Sequence, residues 1–267
     1  MDPAFATALR DARTRRRLSQ LDLALAAGTT QRHVSFLERG RSTPGRGMVV
    51  RVAEALGLPL RERNALLLTA GFAPSYAETP LDDPRLAPVL DSLAALLDGH
   101  RPYPALIVDR YGTLVSANDA FTLLTEGVAG ELLAPPVNVL RLALHPDGMA
   151  PRIHNFADWA QHVLERPRQG LPDPRQAELL DELTSYLPAP SPPSPDHLGF
   201  AVPLQLSTSL GDLRLITAIT RLTTAVDVTI AELSLETFLP ADAETAALLT
   251  AQPTPSAAPR TTQPQPT

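Results

Sequence analysis

At 267 residues the chain is long enough for about two modest domains, each able to bury a core. Its net charge of −6 excludes a uniformly basic nucleic-acid binder, but the charge is split: residues 1–63 carry twelve Arg against six Asp and Glu, the remainder eleven against twenty-three. Cysteine is absent, which removes disulfides, thiolate metal sites and cysteine nucleophiles; no apolar run nears the ~18 residues of a membrane span and no secretory segment opens the chain, so a soluble, cytoplasmic protein with no membrane partner is expected.

Taken in chain order, residues 5–17 predict a first helix, with Ala6, Leu9 and Ala12 at helical spacing. Residues 19–39, SQLDLALAAGTTQRHVSFLER, carry a helix-turn-helix pattern. Ser19 suits an N-cap, and small Ala24 falls where two helices cross closely. Gly28 falls in the turn, where positive φ is needed, and Val34 and Leu37 fall on the inward face of the second helix. Thr43-Pro44 reads as a helix start, with a fourth helix over 47–56 and a fifth over 60–70, ended by Gly71. These five helices make a domain over 1–74, and 75–84 reads as a hinge.

Beyond the hinge, 86–97 predicts a helix with Leu90, Leu93, Ala94 and Leu97 on one stripe. Residues 105–109 and 113–116, joined by a Tyr111-Gly112 turn, predict a hairpin. Helical stretches follow at 118–124, 138–144, 156–165 and 173–186, then a proline-rich loop over 188–195. Strand patterns over 200–207, 213–223 and 231–238 complete a mixed domain over 85–250, with antiparallel pairing. Residues 251–267 have the Pro, Thr and Gln content of a disordered tail.

A helix-turn-helix places the start of its second helix against base edges in the major groove. The outward positions are Thr30, Gln31, Arg32, Ser35, Phe36 and Arg39. Gln31 suits adenine and Arg32 the two acceptors of guanine, with Thr30, Ser35 and His33 assisting. Phe36 is open to two readings, a contact with a thymine methyl or packing inside the domain. Gln20, opening the first motif helix, is expected on a phosphate, and Arg39 and Arg41 on the DNA backbone, with one of Arg15, Arg16 and Arg17. All 23 basic residues are Arg, which fits GC-rich coding, so that bias alone says nothing about phosphate binding. One such module has a small footprint, so a homodimer on a roughly palindromic operator is expected.

The segment LSQLDLALAAGTTQRHVSFLERGRSTP resembles the Xre-type, lambda-repressor-like regulators. The stretches RERNALLLTAGFAP, YPALIVDRYGTLVSAN, NVLRLALHPDGMAPRIHNFADW and AELSLETFLPADAET resemble the MmyB-type family of transcription regulators, over nearly the whole chain to about residue 250. GTTQ opens the recognition helix where relatives often have GVST, so the operator is expected to differ from theirs. The resemblance implies a five-helix, lambda-repressor-like domain followed by a PAS-like domain whose antiparallel sheet and helices hold a fatty-acid-like or other apolar effector, with no cofactor. Arg141, His145, Asn155 and Trp159, inside the best-matching stretch, are the candidates to meet that ligand and an anionic head group. Each also has a plain structural reading: Trp159 as core, His145 as a helix-end residue, Asn155 as a cap, Arg141 in a surface ion pair. Two other functions are compatible with the residues: a DNA-binding scaffold whose second domain binds a protein, and a hydrolase using His145 and Asp147 near Ser207 or Ser209. No catalytic signature supports the hydrolase, and the spacing of His145, His154 and His162 fits no standard zinc pattern.

Overall fold

Ser19 and Asp22 cap one another in the computed structural model, which describes residues 3–165, 173–188 and 202–251. The Ser19 hydroxyl accepts from the Asp22 N–H at 3.1 Å and the Asp22 carboxylate from the Ser19 N–H at 2.9 Å, a reciprocal cap satisfying two donors at a helix start. The helix so begun, α2 (Gln20–Ala26), lies between α1 (Pro3–Arg15) and α3 (Gln31–Glu38) in the chain. Arg17, in the left-handed region at φ 55°, follows the end of the first helix, which stops two residues before its predicted limit. Gly28 takes the turn at φ +62°. Ala24, Val34 and Leu37 are buried as their spacing requires. Then come α4 (Arg46–Ala55) and α5 (Leu60–Thr69); Gly45 caps α4, so Thr43-Pro44 sits before the helix rather than in its first turn. Phe5, Leu9, Leu23, Leu37, Val52 and Leu67 form the apolar centre.

The chain divides into two compact units, and this first one comprises residues 1–79 together with 223–231. Residues 75–79, part of the segment read as a hinge, are tied to α5. The Asn64 carboxamide accepts from the N–H groups of Ser75 and Tyr76 and donates to the Tyr76 carbonyl. The Arg63 guanidinium also donates to the Tyr76 hydroxyl at 3.2 Å and lies over its ring.

The second unit, 80–222 with 232–267, opens with α6 (Ala87–Gly99) and holds a five-stranded antiparallel sheet. Its strands are β1 (Ala105–Val108), β2 (Leu114–Ala117), β3 (Leu204–Thr208), β4 (Gly211–Arg221) and β5 (Ser234–Pro240), in the order β2-β1-β5-β4-β3. Between β2 and β3 lie α7 (Thr122–Thr125), α8 (Val139–Leu144), α9 (Phe156–Glu165) and α10 (Pro174–Ser185). Leu106, Leu204, Leu206, Leu213, Leu215 and Phe238 of the sheet share a core with Leu142, Leu144, Trp159 and Leu183 of these helices. This is a PAS-like arrangement: a sheet with helices packed on an aliphatic face.

Polar side chains hold the hairpin and the first crossover in place. The Asp109 carboxylate accepts from the N–H groups of Tyr111 and Thr113, both at 2.8 Å. Gly112 turns at φ +77°, where a Cβ would lie 3.0 Å from Leu140. Asn138 caps α8 through its carbonyl and donates to the Tyr111 carbonyl, closing that turn from the other side. Asn118 opens a helical turn as expected, preceding the 3-10 turn Asp119–Phe121 that runs into α7, while its carboxamide turns inward to Ala105, Leu97 and Tyr103.

Two short helices fall where no helix was expected, α11 (Val228–Glu232) and α12 (Ala243–Thr250). The strand read as 231–238 accordingly begins later, at Ser234. The tail beyond Ala251 and the proline-rich loop beyond Pro188 lie outside the described residues. No helix among the described residues is long and apolar enough to cross a membrane.

Candidate nucleic-acid interface and sensor core

The recognition helix α3 is fixed at its C-terminal end by a carboxylate. Glu38, with only 3% of its side chain exposed, accepts from Arg13 Nε at 2.6 Å and Nη2 at 3.0 Å, and from Gln20 Nε2 at 2.7 Å. Arg13 Nη1 continues to the Leu18 carbonyl at 2.6 Å. One group thus ties α1, the start of α2 and the end of α3 together, and the bond to Glu38 raises the Arg13 pKa above its ordinary value. Gln20, read as a phosphate contact, has its amide nitrogen in this cluster.

The opposite end of α3 presents its side chains to solvent. Thr30 is the N-cap, its hydroxyl accepting from the His33 N–H at 3.1 Å. Gln31 and Arg32 are exposed in the first turn, and the Arg32 guanidinium stacks over the Phe36 ring at 5.1 Å. Phe36 is half-buried and is not part of the apolar core of this unit. Thr29 Oγ1 meets His33 Nδ1 at 3.0 Å, and Ser35 is half-buried. Gln31, Arg39 and Arg41 have no side-chain partner among the described residues. In the basic triplet, Arg15 faces Glu62 and Arg16 donates to the Gly57 carbonyl, leaving Arg17 uncommitted among the described residues.

In the second unit each candidate ligand residue has a structural partner. Arg141 makes a two-pronged pair with Glu182 of α10, both bonds 2.6 Å, and this holds the Glu182 carboxyl below its usual range. His145 caps α8, accepts from the Asp147 N–H at 3.0 Å and sits edge-on to Tyr186 at 4.9 Å. Asn155 ties the start of α9 to β3, donating to the Pro203 carbonyl and accepting from the Gln205 N–H. Trp159, 5% exposed, belongs to the core facing the sheet.

The pattern of residues gave no hint of Arg152. It follows Pro151 in a 3-10 turn, and its guanidinium donates to the carbonyls of Leu123, Leu124 and Ser207. Its Nε is buried without a partner among the described residues, and burial pushes its pKa down, opposed by the charge of Glu126. It is a cation set against the helix–sheet core and bonded to carbonyls rather than to a carboxylate. Local spacing carries no trace of it, because its three partners come from α7 and β3.

Ser207 meets His154, at 2.8 Å from Nε2, rather than His145. Yet Ser207 donates to Asp212 at 2.6 Å, and Asp212 lies near that same Nε2 at 3.3 Å. A base for serine needs its second nitrogen held by the acid; here the acid engages the hydroxyl and Nε2, and Nδ1 has no partner among the described residues. Ser209 is bound by Glu126, away from both His145 and Asp147. No cluster of three or more His, Asp or Glu among the described residues can hold a metal ion.

Residues 89–251 match the family described as the MmyB-like transcription regulator ligand binding domain, and residues 9–63 match a helix-turn-helix family. An uncharacterized HTH-type transcriptional regulator, y4dL of Sinorhizobium fredii, is 46% identical over 52 residues, covering 20% of this chain and 26% of that protein. The chain therefore spans about a quarter of the length of this curated relative. Among solved structures, the restriction-modification controller protein C.AhdI from Aeromonas hydrophila is 33% identical over 22% of this chain and 91% of its own, with a TM-score of 0.22. The clp gene regulator ClgR from Corynebacterium glutamicum is 25% identical over 38% of this chain and 94% of its own, with a TM-score of 0.24.

Proposed function

The chain belongs to the MmyB-like transcription regulators, and from that membership we propose that it reads a roughly palindromic operator as a homodimer and changes its operator affinity when an apolar, fatty-acid-like effector enters the second unit. The observation that carries this is the pairing of an α3 anchored through Glu38, whose leading side chains are exposed, with a separate unit built on an apolar, PAS-like core. Gln31 and Arg32 read base edges. Thr30 and Ser35 assist, and Arg39 and Arg41 follow the phosphates with Arg17. Gln20 retains its amide carbonyl, and Glu38 sets where that amide stands.

The effector's chain would lie among the leucines beside Trp159, which is the one of the four sequence candidates inside that core. Its anionic end would meet Arg152, a half-buried cation whose unbonded Nε a carboxylate would satisfy. Arg141, His145 and Asn155 support this site by fixing α8, α9, α10 and β3. Ligand binding can shift operator affinity only through different affinities for two states of the protein.

The test has two parts. Selection from random duplexes should yield a two-half-site sequence, and native mass spectrometry of purified protein should show a bound lipid, or uptake of oleate that weakens or tightens operator binding. A protein with no duplex sequence preference, or a core that takes up neither lipid nor oleate, ends the corresponding half of this reading.

A further inference from the structure

The connection between β4 and β5 does not belong to the unit that contains those strands. Residues 223–231 belong to the first unit, with the helix-turn-helix, while the strands they join lie inside the sensor sheet. Asp227 is the anchor of this connection. Its Oδ2 accepts from Thr79 Oγ1 at 2.6 Å and from the Thr79 N–H at 3.2 Å. Its Oδ1 accepts from the N–H groups of Thr229 and Ile230, beginning α11. The Val228 N–H donates to the Ala77 carbonyl at 2.8 Å, and Ala77 and Asp227 form a parallel bridge.

Thr79 itself is 7% exposed, so its hydroxyl and N–H need partners, and Asp227 supplies both. The segment 75–79 is a strap, held in turn to α5 by Asn64 and Arg63, and by an ion pair between Arg61 and Glu78. A continuous run of hydrogen bonds thus leads from α5 through the strap to Asp227. From there the covalent chain enters β4 on one side and β5 on the other. An ordinary loop between paired strands needs none of this; a short turn would close them.

We propose that the Thr79–Asp227 contact is a coupling latch, through which a change in the sensor strands β4 and β5 reaches the DNA-reading unit. The ligand-driven use of this latch rests on the sensing reading above; the mechanical coupling does not, and the two are tested separately.

Mechanical coupling is read by hydrogen–deuterium exchange on the full chain without effector. Phe238→Leu, and Leu215→Val as a second variant, soften β5 and β4 while keeping an apolar core. Either should speed amide exchange across 61–79 by about tenfold, the scale of weakening one hydrogen bond to a charged group. Adding Thr79→Val removes the shorter bond and leaves the α11 cap intact; Asp227→Ala removes all of them. In both backgrounds the transmitted increase should vanish. Equal transmission with and without the Thr79 hydroxyl and Asp227, or no transmission in either, overturns the latch. Operator affinity with and without oleate is then compared between the natural chain and Thr79→Val. An unresponsive natural chain defeats the sensing reading alone, whereas a Thr79→Val chain that responds as fully as the natural one defeats the latch.

Discussion

Arginine serves opposite purposes in the two units. On the recognition side of the first, Arg17, Arg39 and Arg41 have no side-chain partner among the described residues and Arg32 rests on a ring. In the second, every described arginine is engaged: Arg85, Arg101, Arg110, Arg141 and Arg214 with carboxylates, Arg152 with carbonyls, Arg175 over Tyr111 and Arg221 with Ser234. A cation already paired has little left to offer a phosphate. The surplus of positive charge that marks a nucleic-acid face is therefore a matter of pairing, which composition alone does not reveal.

The sharpest exception to the contrast is Arg13 of α1, half-buried and paired with the buried carboxylate at the end of the recognition helix, and it carries the largest predicted effect. Glu38→Ala strands that guanidinium, 14% exposed, and should destabilise the first unit by about 3–5 kcal/mol in denaturant unfolding. A loss no larger than that of a surface pair would mean the buried carboxylate does not organise the three helices.

Next, Arg32→Ala should cost about 1–3 kcal/mol in operator affinity and relax one base position in a selection experiment. Arg39→Ala and Arg41→Ala should weaken all sequences evenly and each lower the salt slope by about 1, whereas Arg141→Ala should leave the slope alone. A changed slope for Arg141→Ala would erase the distinction between the two sets. Gly28→Ala meets no neighbouring atom, so its cost is the left-handed backbone alone, about 1–2 kcal/mol in thermal stability of the first unit.

The smallest effect belongs to the half-exposed Arg141–Glu182 pair, about 0.2–1 kcal/mol after solvent screening. Arg141 lowers the folded pKa of Glu182, so the pair's contribution is complete above the ordinary carboxylate range and is lost as pH falls through the lower, folded value. Glu182→Gln should flatten the acid limb of stability against pH and leave neutral-pH operator binding intact. An unchanged acid limb would show that the pair contributes nothing to holding α10.

How much of this was legible depends on sequence distance. The helix-turn-helix was readable because Ser19, Ala24, Gly28, Val34 and Leu37 act within a single local motif. The sheet order was not readable, but the strands and the helices between them were, because alternation and helical period are local. Arg152, and the side-chain partners of Asn118 and Asn155, were not legible because those partners lie 13 to 55 residues away. The short α11 and α12 escaped because Val228, Ile230 and the Ala-Leu run after Asp242 fit strand or coil as easily as one or two turns of helix. Gln20 shows a subtler limit: its position suits a backbone contact, but nothing local signals that Glu38 would hold its amide.

Glu38 carries one more consequence. A reading head whose three helices share a single buried anchor has no internal joint, so any signal arriving at it must move it whole. In the homodimer proposed above, regulation would then act on the distance and angle between two such heads on the duplex rather than on how either one recognises its bases.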